Sequence, residues 1–313
     1  MTAAPVRTLF LGSGAFGLPT LDRLVGHPAI ELIGIVTAPM RPAGRTGTMT
    51  PTPIGAAAPS GIPLLTPGRL RDPDALAAIA ALRPEMAVLT DYGQLVPAPI
   101  LDLPRGALNL HPSLLPRHRG ATPIPATILA GDSETGVTLM QMDAGLDTGP
   151  IVAQAVVPVD LSAATGPALE DRLREAAADL LDRSLASWIA GELEARPQPD
   201  DGATLTRPLR REDGRLDPTL DAGRLERQVR AYQPWPGSFI ETPEGRFIVW
   251  AASVDPAGSV ARPGTLTETG LVTADGLLAL ESVQPAGGRP MSWTDYLRGR
   301  PSVLGREIMA TGR

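Results

Sequence analysis

Asn109, His111 and Asp147 are the residues of this chain whose types and order suit one kind of chemistry. Asn109 and His111 flank Leu110 at the end of an apolar run, and residues two apart on a strand point to the same side, so both face one site. Asp147 follows in the Gly-rich stretch Asp143-Ala144-Gly145-Leu146-Asp147-Thr148-Gly149, which can bring its carboxylate beside them. A carboxamide N–H and a protonated imidazole stabilise the oxygen that becomes negative when a carbonyl turns tetrahedral. A carboxylate accepts, directly or through water, the proton that an attacking amine must lose. It also orients the imidazole and raises its pKa. The set therefore suits acyl transfer from an amide-like donor to an amine. Such a transfer needs no covalent enzyme intermediate, so a chain without cysteine can perform it. Singly, each residue has a plainer reading: a histidine after a strand as a structural hydrogen-bonding group, an aspartate in a Gly-rich loop as a turn cap.

The combination is more specific. Asn109-Leu110-His111 is followed by Ser113-Leu114-Leu115-Pro116 and Arg119-Gly120, then by Gly136-Val137-Thr138 and Leu146-Asp147-Thr148-Gly149. This pattern, with its separation of Asn109 from Asp147, closely resembles the formyltetrahydrofolate-dependent transferase family. The resemblance implies that Asn109, His111 and Asp147 are catalytic and that 10-formyltetrahydrofolate is the formyl donor. It also implies that Ser113, Leu114, Leu115 and Pro116 contact the folate, while Tyr92-Gly93 and the loop from Asp143 to Asp147 form the pterin pocket.

Within that family the resemblance is strongest to members whose acceptor is the methionyl amino group on initiator tRNA, and it covers nearly the whole length. Arg41-Pro42-Ala43-Gly44-Arg45 resembles the loop that enters the tRNA acceptor stem. Ala231-Tyr232-Gln233-Pro234-Trp235-Pro236-Gly237, Gln284-Pro285-Ala286-Gly287 and Met291-Ser292 resemble motifs of a C-terminal barrel. The tRNA contacts so implied are Arg41, Arg45, Arg207 and Arg210. The chain departs from the pattern at Thr46-Gly47-Thr48 and Gly55, where lysines are common, and at Asp91, Gln94 and Pro125. These departures bear on the acceptor more than on the donor.

The elements that must position these residues alternate short apolar runs with helix-like segments, the pattern of a Rossmann-like, mostly parallel α/β sheet with helices on both faces. Strands are expected at Arg7–Leu11, Leu32–Thr37, Met86–Thr90, Ala107–Leu110 and Gly136–Met142, and helices from Pro19, over Asp72–Leu82 and over Thr165–Ala190. Ligands of open α/β sheets gather beyond the carboxyl ends of strands, which directs attention to His111 and Asp143. Residues 38–55 read as a long Pro- and Gly-rich loop. The expected division is a catalytic domain at 1–191, a polar, Pro-rich linker at 192–208 and a small OB-like β-barrel that binds tRNA at 209–313. Turn signals at Pro243-Glu244-Gly245, Pro263-Gly264 and Asp275-Gly276 support the strand-rich second half, after a helix over Asp221–Tyr232.

Composition narrows the alternatives. The chain has 313 residues, 43% of them hydrophobic, with a formal net charge of -6 and no cysteine. Thiolate metal sites are excluded. With His27, His111 and His118 as the only histidines and no His-x-x-x-His pair, no metal is expected. No signal-peptide pattern or membrane-length apolar run is present, so a cytoplasmic location is expected, and we take the chain to be a monomer. All 28 basic residues are arginines, a pattern that codon bias accounts for more simply than anion binding. Between Arg207 and Arg230 seven arginines stand against five acids, a modest excess that reads equally well as solvated surface.

Gly12-Ser13-Gly14-Ala15-Phe16-Gly17 fits a dinucleotide fingerprint, which would make the chain an NAD-dependent oxidoreductase. Such an enzyme needs an acidic residue at the end of the second strand, where this chain has Val36-Thr37-Ala38, so a tight strand-to-helix turn explains the glycines better. A formyltransferase acting on an amino sugar nucleotide shares the donor and the three catalytic residues and differs only in acceptor. A hydrolase releasing formate and a noncatalytic RNA-binding module complete the alternatives. The second domain favours tRNA, because a small acceptor would not require it.

Overall fold

The structure, a computed structural model, describes residues 4–44, 47–255 and 260–308. The chain opens with strand β1 (Val6–Gly12), helix α1 (Leu18–Leu24), entered through Pro19, and strand β2 (Ile30–Val36). The described part of the stretch expected as a long loop contains regular elements. It holds the hairpin strands β3 (Arg41–Ala43) and β4 (Thr48–Thr50), then a short helix α2 (Pro53–Ala57). The signals were there: Gly44 and Gly47 take positive φ at the hairpin, and Thr52 caps α2 by accepting from the Gly55 amide at 2.9 Å.

Strand β5 (Leu64–Leu65), helix α3 (Pro73–Ala81), strand β6 (Met86–Thr90), helix α4 (Ala98–Leu101) and strand β7 (Ala107–His111) follow. Then come strand β8 (Arg119–Gly120), helix α5 (Pro123–Ala130), strands β9 (Glu134–Gln141) and β10 (Ile151–Pro158), helix α6 (Gly166–Ala190) and strand β11 (Leu205–Thr206). Helix α7 (Ala222–Ala231) introduces strands β12 (Ser238–Thr242), β13 (Gly245–Asp255), β14 (Gly270–Val272), β15 (Leu277–Pro285) and β16 (Met291–Ser292), and helix α8 (Trp293–Gly299) follows. Among the described residues no helix is long and apolar enough to cross a membrane.

The chain divides into two compact units. The first takes residues up to Pro123, Glu134–Pro158 and Glu170–Thr206. The second takes Ile124–Ser133, Val159–Leu169 and the chain from Arg207 onward. In the first, seven strands run in the order β10-β9-β7-β6-β1-β2-β5. From β7 to β5 neighbours are parallel, the arrangement expected of a Rossmann-like sheet, whereas β9 and β10 are antiparallel additions at one edge. The alternation of buried and exposed residues in β10 marks it as an edge strand; the sequence reading passed over it because Ala153, Gln154 and Ala155 carry little apolar signal. Leu9, Leu11, Val36, Leu89 and Ala107 from the parallel strands form a core with Ile79 of α3 and Ile100 of α4.

The second unit carries a five-stranded antiparallel sheet, β12-β13-β15-β14 with β16 paired to β15. Its core is built from alternate strand residues such as Ile240, Phe247, Val249, Leu278, Leu280 and Val283, closed by Leu225 and Val229 of α7 and by Trp293 and Tyr296 of α8. Asp221 caps α7 by accepting from the Arg224 amide at 2.7 Å, a contact worth about 1 kcal/mol. The arginines of α7 are occupied inside this unit. Arg224 and Arg227 both donate to the Leu129 carbonyl, and Arg230 donates to those of Leu161 and Ala164 while pairing with Glu226. They satisfy the carbonyls of the two inserted segments, and so the helix is not the freely solvated basic face that charge counting suggests.

Candidate active site

Strand β7 sets the first two residues. Asn109 is in register with Leu89 on one neighbour and Met140 on the other, and His111 is opposite Thr138. Both share one side of the strand by alternation. Asn109 is half-buried, and among the described residues its carboxamide has no hydrogen-bond partner, which leaves its N–H groups free to serve a ligand. His111 is 5% exposed, yet its surroundings are polar at both ring nitrogens. Nε2 lies 2.9 Å from the His118 carbonyl oxygen, and Nδ1 lies 3.7 Å from Asp147 Oδ2.

A carbonyl can only accept, so Nε2 carries the hydrogen, and in the neutral ring Nδ1 presents its lone pair toward Asp147. Burial holds the His111 pKa below its ordinary value, against the opposite push of the Asp147 carboxylate and the His118 carbonyl, with His118 itself lowering it further. Desolvation of the nearly enclosed ring thus outweighs one carboxylate and favours the neutral form over the protonated one invoked from the sequence.

Asp147 reaches this position by an indirect path. Strand β9 is antiparallel to β7, so its carboxyl end, Gln141, sits beside Leu108 near the start of β7 and not at the His111 end. The loop that follows carries Asp147 back along the strand. Asp143 shapes that loop, accepting at Oδ1 from the Gly145 amide at 2.9 Å and from Thr148 Oγ1 at 2.7 Å. Asp147 takes a positive φ of 52°, and its Oδ2 accepts from the Gly120 amide at 2.7 Å. His118, whose carbonyl holds His111, has a positive φ of 56°. Two non-glycine residues in the left-handed region beside one histidine is a concentration of strain of the kind that functional sites carry.

The residues expected around a folate fall into two groups. Leu114 and Pro116 are half-buried and Gly93, with a positive φ of 78°, is exposed, so their atoms are open to a ligand. Ser113 and Leu115 are buried, and the Ser113 hydroxyl donates to the Arg117 carbonyl at 2.6 Å. The Tyr92 ring joins the core of the parallel strands, its buried hydroxyl has no hydrogen-bond partner among the described residues, and burial pushes its pKa up to about 12. Ser113, Leu115 and Tyr92 therefore present little surface to a ligand. The turn containing Ser113 and Leu115 is pinned by Thr138, part of the sequence pattern but given no role there, and by Gln154, which sequence reasoning missed. Thr138 Oγ1 donates to the Ser113 carbonyl at 2.7 Å and accepts from the Leu115 amide at 3.0 Å, and Gln154 Nε2 donates to Thr138 Oγ1 at 2.8 Å. The available signal was one hydroxyl, Thr138, inside the apolar run of β9.

The glycine-rich turn after β1 is closed to a phosphate. The Ser13 and Gly14 amides both donate to the Asp91 carbonyl, at 3.0 and 3.3 Å, and a Cβ on Gly14 would fall 1.6 Å from Asp91 Oδ2. A carboxylate thus stands where a dinucleotide would need its anion. Although Asp91 as a residue is exposed, burial of its carboxylate, with a smaller contribution from Glu170, pushes its pKa up to about 6.

Of the residues expected to meet tRNA, Arg41 is exposed on β3 and Arg45 lies outside the described residues. Arg207 and Arg210 are exposed; Arg207 pairs with Asp213, whose carboxylate also accepts from the Arg210 amide. The stretch 192–208 was expected as a linker, yet its part up to Thr206 is hydrogen-bonded along β8 and β10 of the first unit. Arg196 exchanges backbone bonds with Ile151, Thr204 meets Arg119 and Pro116, and β11 pairs in parallel with β8. A surface cavity of about 490 Å³ along β10, lined in part by Gln154, Glu192 and Arg196, includes none of the three catalytic candidates. Among the described residues no cluster of three or more His, Asp or Glu could hold a metal ion.

Comparison with known proteins gives the same picture. The family model described as formyl transferase matches residues 6–185, and the one described as formyl transferase, C-terminal domain, matches residues 208–301. The methionyl-tRNA formyltransferase of Roseiflexus sp. (strain RS-1) is 45% identical over 303 residues, covering 94% of this chain and 93% of that protein. Among solved structures, HypX from Aquifex aeolicus in complex with tetrahydrofolic acid aligns with TM-score 0.61 at 16% identity. That match covers 94% of this chain and 47% of HypX, so the chain spans about half its length. WlaRD, a sugar 3N-formyl transferase, aligns with TM-score 0.64 at 14% identity over 89% of this chain and 98% of its own. These two likenesses establish shared fold. The two family models and the near full-length relative together place the chain in the formyl transferase family.

Proposed function

We propose that this protein transfers the formyl group of 10-formyltetrahydrofolate to the amino group of methionyl-initiator tRNA, acting in the cytoplasm as a monomer. The observation that carries the reading is the meeting of His111 and Asp147 beside the unpartnered carboxamide of Asn109. Relatives with the tRNA activity in their name, matched over both domains, favour that acceptor over an amino sugar.

The folate supplies the formyl group. Asn109 donates an N–H to the formyl oxygen as it gains negative charge. Neutral His111 takes up the proton of the attacking amine at Nδ1, and the facing Asp147 carboxylate stabilises the imidazolium so formed. The same nitrogen then returns the proton to the departing amine of the donor, which leaves the ring neutral again. Exposed Gly93, the Asp143–Asp147 loop, Leu114 and Pro116 hold the folate, with buried Tyr92, Ser113 and Leu115 setting the shape of the segments beside it. Arg41, Arg45, Arg207 and Arg210 meet phosphates, and the C-terminal domain from 209 binds the tRNA body.

The deciding experiment supplies 10-formyltetrahydrofolate with methionyl-initiator tRNA, with amino sugar nucleotides, or with no acceptor. Formylation of the tRNA at a kcat/KM far above that of the sugars is expected. Preference for a sugar nucleotide, or formate release that no acceptor suppresses, would overturn the assignment.

A further inference from the structure

Gln198 sits in the Pro-rich stretch Arg196-Pro197-Gln198-Pro199, whose composition indicates nothing beyond a connection. In the structure its carboxamide is fully engaged. Oε1 accepts from Arg119 Nε at 3.0 Å and from Nη2 at 2.7 Å. Nε2 donates to the Asp147 carbonyl at 2.8 Å and to the Gly149 carbonyl at 2.7 Å. A primary amide has two N–H bonds and one oxygen with two lone pairs, so all of its hydrogen-bonding capacity ends on two short segments that flank His111.

We propose that Gln198 is a positioning residue for formyl transfer: it clamps the Asp147–Gly149 backbone to Arg119 and so holds the Asp147 carboxylate at His111. The proposal rests on reading Asp147 and His111 as the working pair. A non-glycine residue in the left-handed region is strained and persists only where its surroundings fix it. For Asp147, two ties do so. Its carboxylate takes the Gly120 amide, and its carbonyl takes Gln198, which is itself anchored on Arg119. Arg119 and Gly120 are consecutive and form β8, so the two ties close a ring through a single short strand. Opening that ring at Gln198 leaves one hydrogen bond to hold a strained residue, and the loop relaxes away from His111.

Two substitutions separate this role from simple packing. Q198E keeps oxygens for Arg119 but replaces both donors with acceptors facing two carbonyls. Q198M keeps the length of the side chain and removes every polar contact. Displacing a catalytic group by about 1 Å costs on the order of 100-fold, so both variants are expected to lose roughly 10- to 100-fold in kcat, with Q198E the worse. Hydrogen exchange at the Gly120 amide should quicken in both. In Q198M the His111 ring, followed by NMR, should titrate lower than in the parent, because the carboxylate that supports its protonated form has moved while His118 remains.

Parent-like kcat with parent-like Gly120 exchange in both variants would overturn the proposal, as would a Q198E more active than Q198M, which would make the Arg119 contact the one that matters. If Q198E does not fold, Q198M and its exchange rate decide. Should the parent protein formylate no tRNA, the functional reading fails on that assay alone, while Gly120 exchange and His111 titration still report whether Gln198 holds Asp147.

Discussion

The Gly120 amide donates to Asp147 Oδ2 at 2.7 Å, and that oxygen is the one lying 3.7 Å from His111 Nδ1. A backbone N–H therefore fixes the place of the carboxylate, and the glycine is needed for a second reason. Gly120 has φ of 104°, and a Cβ there would fall 2.3 Å from the Thr206 carbonyl oxygen. Gly120→Ala is expected to push β8 from β11, to destabilise the first unit by about 1–3 kcal/mol, and to lower kcat beyond what the loss of folded protein explains. Calorimetry with activity normalised to folded fraction checks both parts; a variant with parent-like melting and turnover would show that neither the strand pairing nor the N–H placement matters.

His111 is held between two opposed influences, burial and the Asp147 carboxylate. Replacing Asp147 by Asn removes the charge that raises the histidine pKa and leaves the burial that lowers it. The His111 titration in D147N should therefore move to lower pH than in the parent, as followed by ¹³C and ¹⁵N NMR of the ring. Turnover should fall as well, and in His111→Ala the loss should be about 10²- to 10⁴-fold, the usual range for a general acid–base group, with folate binding retained. An upward movement of the titration in D147N would mean that the carboxylate does not face the ring.

The parts of the site that were legible in the sequence are those fixed by local rules. Alternation on a strand is enough to put Asn109 and His111 on one side of β7, and strand and helix periods suffice for the parallel strands other than the two-residue β5. What remained hidden depends on pairing at long range. Nothing local tells that β9 runs antiparallel, so the return path of Asp147 along β7 could not be read from the order of residues. Gln198 was hidden for the same reason: a glutamine between two prolines resembles linker until Arg119 and Asp147 are seen around it. The downward push on the His111 pKa was hidden as well, because a sequence shows neighbouring carboxylates but not the desolvation that outweighs them.

Asp91 offers a pH test that does not involve catalysis. Its folded pKa, raised to about 6 by burial and then by Glu170, exceeds the ordinary value of 3.8, so the native state binds this proton more tightly than the unfolded chain does. The associated stability is fully present below the unfolded value and is lost as pH rises through the folded one. Asp91→Asn, which mimics the protonated form, should melt above the parent at about pH 8, and the gap should close as pH falls toward about 4. A gap that persists unchanged at low pH would assign the effect to packing against Gly14 and not to charge.

The arginines of the second unit separate into those already used within the fold and those open to a phosphate. Arg224 and Arg227 hold the Leu129 carbonyl, and Arg230 holds those of Leu161 and Ala164. Arg210 is exposed, and its backbone amide, donating to Asp213, fixes where the side chain begins. If Arg210 meets the tRNA backbone, R210A should weaken binding and reduce the magnitude of the slope of log K against log salt by roughly 1, the share of one phosphate contact. Arg224→Ala should instead leave the slope as it is and lower the melting temperature, because it strips a partner from the half-buried Leu129 carbonyl. Filter binding across a salt series, paired with melting curves, reads the two effects separately. A slope that changes for Arg224 and not for Arg210 would reverse the division and place the phosphate path along helix α7.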